Sequence, residues 1–264
     1  MLQVPLLYLS EIISRVFRHP VVRYYGRKYP RLFSFLQHRF SMKHFFGLPF
    51  TLILILAWIN LAMLSELSEA IVNSPGMKTI DGKISLAFYK FREPWLSKAF
   101  YWFTALGDYY GLLTVSVLAS LFMLYKRKPH YLLGFLVSLL GSGLAVRITK
   151  AYFVRERPLD IGYYTETSFS FPSGHATGGM ALEGFLCYLL IIEAKTPKKQ
   201  LFWLIAGLTF NFLMGISRIY LGVHFASDVL AGWLLGFLWL LFGIVIMEFA
   251  TLRTVTKKVP ENEV

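Results

Sequence analysis

Six apolar stretches recur along the chain, each close to the length needed to cross a bilayer, and few folds tolerate that pattern. A hydrocarbon core of about 30 Å calls for about 20 apolar residues per helix. The stretches are residues 45–65, 99–125, 131–150, 172–192, 201–217 and 225–247. The first holds no charge, the second only Asp108, and the fourth contains Glu183 well inside it. Hydrophobic residues make up 56% of the chain and charged residues 16%, against about 45–50% and 25% in soluble domains. That excess needs lipid as a solvent. The expected fold is all-α: a bundle of six transmembrane helices over residues 45–250, after a basic segment 1–44 and before a tail 251–264.

Lysine and arginine in the connections set the expected orientation. Residues 1–44 carry eight basic residues and one acid, Glu11. Lys126, Arg127 and Lys128 separate the second and third stretches, Lys195, Lys198 and Lys199 the fourth and fifth, and Arg253, Lys257 and Lys258 lie in the tail. With six spans all four clusters fall on one side, which is expected to be cytoplasmic, with both termini. The 66–98 connection is mixed, with Glu66, Glu69, Asp81 and Glu93 against five basic residues. It is expected to form amphipathic caps at the outer face. The net charge of +12 would suit nucleic acid, but its clustering at the ends of apolar runs matches membrane flanks, and no nucleic-acid partner is expected. Basic and aromatic residues interleave over 1–44, as on a segment resting on anionic lipid, broken at Pro20 and Pro30. The single cysteine, Cys187, excludes an intrachain disulfide and offers no C-x-x-C metal spacing.

Three outward-facing places hold the charges that lipid would not tolerate. The first is Lys150 to Pro158 (KAYFVRERP), the second Pro172 to His175 (PSGH), and the third Ser217 to Asp228 (SRIYLGVHFASD). The topology brings all three to one face. Lys150, Arg157 and Arg218 are three cations, and arginine forks match phosphate oxygens. Ser173 offers a hydroxyl, and Gly174 lets backbone approach a ligand closely. Pro172 suits the first turn of a helix, so Ser173, Gly174 and His175 are expected to present free N–H groups to an anion. The ligand so described is a phosphoryl group.

His224 and Asp228 are four apart and share one face of a helix. A carboxylate on one imidazole nitrogen fixes the tautomer and frees the other to attack. His175, on another element, is placed to protonate the departing oxygen and then to activate water. The cluster has neither the carboxylates expected around magnesium nor a third histidine for zinc, so no metal or other cofactor is expected. Singly, each residue is more often structural than catalytic. At about one in twenty per position, however, Ser217, Arg218, His224 and Asp228 together recur by chance about once in 10⁵ positions.

These blocks resemble the signature of the type 2 phosphatidic acid phosphatase superfamily: Lys150, Arg157 and Pro158; Pro172, Ser173, Gly174 and His175; Ser217, Arg218, His224 and Asp228. The resemblance implies a six-helix membrane core and metal-independent hydrolysis, with vanadate as a phosphate mimic. It implies His224 as nucleophile, Asp228 as its partner and His175 as acid. Lys150, Arg157, Ser173, Gly174 and Arg218 would hold phosphate. Undecaprenyl pyrophosphate, phosphatidylglycerol phosphate and phosphatidic acid all fit as substrates, entering sideways from the outer leaflet. The compact chain suggests a bacterial inner-membrane protein with its site facing the periplasm or exterior. A lipid phosphate and membrane lipids are the expected partners; oligomeric state leaves no trace in the sequence. Transfer of phosphate to lipid A, or non-catalytic phospholipid transport or reception, are the alternative functions. Outside the signature, Glu183 is expected to pair structurally with Arg147. Asp108 is expected near the outer mouth of the site, and Arg155 and Glu156 as loop charges.

Overall fold

The computed structural model describes residues 11–12, 14–41 and 45–256. It is helical, with no strand among the described residues. After a helical stretch at 14–18 come two short basic helices, α1 (Pro20–Lys28) and α2 (Pro30–Arg39), each opening on a proline. Proline's fixed φ and missing N–H suit it to a first helical turn and bar it from a later one, so Pro20 and Pro30 divide the segment as expected. Then follow α3 (Leu48–Asn73), α4 (Pro75–Lys90), α5 (Pro94–Thr104), α6 (Tyr109–Tyr125), α7 (Pro129–Phe153), α8 (Gly174–Glu193), α9 (Pro197–Tyr220) and α10 (Ala226–Thr256).

Five helices, α3, α7, α8, α9 and α10, are long and apolar enough to cross a membrane. The expected second span departs from the sequence reading. It is two helices, Pro94–Gly107 (α5 with a closing 3₁₀ turn) and Tyr109–Tyr125, bent by 48° at Asp108. The cause is local. Asp108 leaves the helix to meet His175, and Gly107 sits so tightly against that ring that a Cβ would lie 2.9 Å from both His175 Cδ2 and Met214 Sδ. Counting the bent pair as one span gives six.

The bundle is built around α10, which packs against α7, α8 and α3. Without a hydrophobic drive between helices in lipid, close approach depends on small residues. Gly232 and Gly236 supply it: a Cβ at either would lie within 2.7 Å of the Ser173 or Thr177 carbonyl oxygen on the α8 side. Away from the charged rim, Phe135, Leu182, Phe185 and Met247 interlock as a fully buried apolar cluster. Trp58, Leu118 and Phe122 instead point outward, as lipid-facing side chains do.

The expected pair of Glu183 and Arg147 does not form. Glu183 turns toward α9, where its Oε2 and Asn211 Oδ1 flank Gly179, and neither oxygen has a hydrogen-bond partner. Arg147 is exposed on α7 and lines a different cleft, with Asp108 and His175. Similar depth along two helices says nothing about the direction each side chain faces.

Candidate active site

The three charged stretches meet at one end of the bundle. His224 lies in the turn between α9 and α10 and is 1% exposed. Its two ring nitrogens face different partners. Nε2 is 3.2 Å from Arg157 Nη1. Nδ1 is 3.6 Å from Asp228 Oδ2 and 3.3 Å from Ser170 Oγ, and Ser170 donates to that same Asp228 oxygen. A guanidinium can only donate, so Nε2 is the accepting nitrogen and the ring proton sits on Nδ1, toward the carboxylate. Burial lowers the His224 pKa to about 3; Asp228 opposes the shift, while Arg157 and Arg218 add to it. The ring is therefore neutral, with an unprotonated Nε2 facing the cations.

Asp228, fully buried, is held on every side. Its Oδ2 also accepts from the Phe225 amide at 2.9 Å, which closes the α10 N-terminus. Its Oδ1 accepts from Arg155 at 2.6 Å. Its carbonyl accepts from the Ser173 amide at 3.0 Å, tying the start of α8 to the start of α10. Ser173 is thus the N-cap of α8, and Pro172 precedes the helix instead of opening it. The expectation that the Ser173 amide is free is corrected by that bond. The Ser173 hydroxyl is buried without a partner.

The cations surround this pair. Lys150, in the last turn of α7, donates to Ser168 Oγ at 3.1 Å and to the Phe169 carbonyl. Arg157 donates to the Ser168 carbonyl at 2.7 Å and the Val223 carbonyl at 2.6 Å, and burial lowers its pKa. Arg218 has no exposed surface. A guanidinium so far from water costs several kcal/mol unless an anion meets it. Here Glu166 does, at 2.8 Å from Nη2, with its other oxygen 3.8 Å from Arg157. Tyr164 accepts a further bond from Arg218, whose Nε has no partner. A carboxylate thus sits between the two arginines.

His175, in the first turn of α8, pairs through Nε2 with Asp108 Oδ1 at 2.6 Å. Beside them runs a cleft of about 280 Å³ between α6, α7 and α8, lined also by Tyr109, Leu112, Leu139 and Val146. Tyr109 is exposed on the lipid-facing side. A larger cavity of about 630 Å³ lies on the opposite flank, between α4 and the loop after α7, and meets the site at Arg157 and Phe225.

The eight expected catalytic and phosphate-binding residues thus lie in this region. Asp108, expected near the outer mouth, lies there as the partner of His175, and three further residues did not announce themselves: Ser170 beside the His224–Asp228 pair, Glu166 among the cations, and Arg155. The reading of Arg155 as a loop charge is corrected. It is almost buried and bridges two carboxylates, Asp228 and Asp81 of α4. Only Asp108 carried a signal, as the lone charge within an apolar stretch.

A profile of the PAP2 superfamily matches residues 131–252. The chain is 32% identical over 182 residues to the phosphatidylglycerophosphatase B of Bacillus subtilis, covering 68% of this chain and 89% of that protein. It is 32% identical over 124 residues to the undecaprenyl-diphosphatase of Sulfolobus acidocaldarius, covering 44% and 55% of the two. The crystal structure of a transmembrane PAP2-type phosphatidylglycerolphosphate phosphatase from Bacillus subtilis superposes with a TM-score of 0.66 at 28% identity, over 78% of this chain and 98% of that one.

Proposed function

This chain belongs to the PAP2 superfamily, and from that premise we propose that it is an integral membrane phosphatase that hydrolyses a lipid phosphate or diphosphate through a phosphohistidine on His224. One observation carries the reading. The accepting nitrogen of a neutral imidazole faces a cluster of cations, while its other nitrogen faces a buried carboxylate.

The steps follow from the side chains. Phosphate enters among Lys150, Arg157 and Arg218, near the Ser173 hydroxyl and the α8 N-terminus at Gly174, displacing Glu166. His224 Nε2 attacks phosphorus in line, forming an N–P bond as the P–O bond to the lipid breaks. The departing oxygen takes a proton from His175, whose charge Asp108 balances. Asp228 stabilises the positive ring of the phosphohistidine through Nδ1–H. Water then attacks phosphorus, giving its proton to His175, and the N–P bond breaks to release phosphate and neutral His224. The cations stabilise charge on the transferring group in both steps, and no step calls for a metal.

The cleft beside His175 suits the lipid part, because the leaving oxygen must lie opposite the attacking nitrogen. Its apolar lining supports entry from within the membrane. The names of the relatives favour phosphatidylglycerol phosphate or a polyprenyl diphosphate as the substrate class. We place both termini in the cytoplasm and the site at the outer face of a bacterial inner membrane, on the distribution of lysine and arginine. A cysteine at position 160 labelled only from the cytoplasm would reverse that orientation.

The direct test is phosphate release by purified protein from a panel of lipid phosphates, in the presence of a chelator. Release from at least one lipid phosphate or diphosphate, lost in His224→Ala, is expected. A strict requirement for magnesium, or full activity in His224→Ala, would overturn the mechanism.

A further inference from the structure

Arg155 is outside the signature, yet it holds one of the two oxygens of the nucleophile's partner. Its Nη1 donates to Asp228 Oδ1 at 2.6 Å and to Ser227 Oγ at 2.7 Å. Its Nη2 donates to Asp81 Oδ2 at 2.7 Å. Asp81, on α4 and 1% exposed, also accepts from the Ser227 amide at 3.1 Å and from the Ser227 hydroxyl. The guanidinium lies over the Phe225 ring, 4.5 Å from its centre. Two buried carboxylates, one guanidinium and one hydroxyl thus close on each other behind His224.

We propose that Arg155, held in place by Asp81, is a positioning residue for Asp228: it occupies Oδ1 so that Oδ2 is presented to His224, making α4 part of the apparatus that orients the nucleophile. The proposal rests on the phosphohistidine reading above. Two physical arguments carry it. A planar fork fixes the direction of a carboxylate as well as its charge, and Asp228 has only two oxygens to direct. Arg155 also offsets one of two negative charges: without it, Asp228 and Asp81 would be two anions bridged by one serine in a buried site, and their repulsion would turn the carboxylates apart. A rotated Asp228 no longer sets the His224 tautomer.

Arg155 touches the carboxylate and not the phosphate cage, which separates this role from phosphate binding. In Arg155→Gln, kcat should fall about tenfold to 100-fold, as on loss of an outer partner that orients a reactive group. KM, and inhibition by inorganic phosphate, should stay within about threefold of the parent. Arg157→Gln, by contrast, should weaken phosphate inhibition. Arg155→Lys, which can reach one carboxylate at a time, should retain intermediate activity. Asp81→Asn should lower kcat by a smaller factor. The double variant R155Q/D81N should unfold at a higher temperature than R155Q alone, because the second change removes the surplus buried charge.

The pH profile gives a readout that a purely structural tie would leave unchanged. Facing His224 are Asp228 from α10, Arg218 from α9, and Arg157 with Ser170 from the loop. Freed from Arg155, an ionised Asp228 weighs more on the ring, so the acid limb of kcat/KM should move to higher pH in R155Q.

The proposal is overturned if R155Q, R155K and D81N all keep full kcat. Loss of phosphate inhibition matching the loss of kcat would overturn it too, since Arg155 would then be a phosphate ligand. Failure of all three variants to fold would make the network a structural tie and likewise count against it. His224→Ala run alongside keeps the two readings apart: if that variant stays active, the phosphohistidine reading falls, whereas an inactive His224→Ala beside fully active Arg155 and Asp81 variants sinks only the positioning role.

Discussion

The two histidines sit in contrasting surroundings. His224 is enclosed, with Asp228, Ser170 and Arg157 all within reach of its ring and Arg155 and the Phe225 amide fixing the carboxylate behind it. His175 pairs with Asp108, which is itself half exposed, and the pair lines a cleft between α6, α7 and α8. Attack on phosphorus needs a fixed angle, and a leaving group needs room. In the proposed reaction the rigid half of the site serves the atom that attacks and the open half the lipid that departs.

The comparison can be broken most sharply at the histidines themselves. His224→Ala removes the attacking atom and should abolish turnover, measured as phosphate release. His175→Ala leaves attack in place and removes only proton transfer, so a loss of about 10²–10⁴-fold in kcat is expected. It should be smaller for substrates with good leaving groups. Equal losses on every substrate would contradict the division of roles. Asp108→Asn should cost less, about tenfold, because it only orients His175. It should leave inhibition by phosphate unchanged.

Smaller effects sharpen the picture. Glu166 pairs with Arg218 and lies near Arg157, and the proposed mechanism has substrate displace it. Glu166→Gln should therefore lower KM by about two- to fivefold with kcat little changed. A raised KM would mean that Glu166 arranges the cage and does not occupy it. The enclosure of His224 also makes a stability prediction. Its pKa is near 3 in the folded protein and about 6.5 in an unfolded chain. The unfolded state thus binds more protons between those values. This group's contribution to stability declines as pH falls below about 6.5 and levels off near 3. The melting temperature of the parent should drop on acidification more steeply than that of His224→Gln. Parallel curves would show that the imidazole is not held neutral.

Much of this arrangement was legible in the chain. Span lengths follow from bilayer thickness, and the charged residues of the signature stand out because charge is rare inside apolar sequence. The corner at Asp108 was not legible as a break, since the apolar run continues through it. Its cause is a contact with a residue 67 positions away. Asp81 and Arg155 read as ordinary charges of outer connections, because nothing local marks a pair separated by 74 positions. The expected partnership of Glu183 and Arg147 failed for the related reason that sequence gives depth along a helix more readily than facing. Nothing in the sequence around Glu166 marks it, and only the fold reveals that it meets Arg218.

The account stands or falls on a bond between His224 nitrogen and phosphorus. His175→Ala protein, in which breakdown of the intermediate is slowed, can be incubated with a lipid phosphate labelled in its terminal phosphoryl group, quenched in alkali and digested. Label on the peptide containing His224, absent when His224 is also replaced, is the predicted result. Label on any other residue, or turnover in the parent protein with no phosphorylated His224 in any quench, would contradict it.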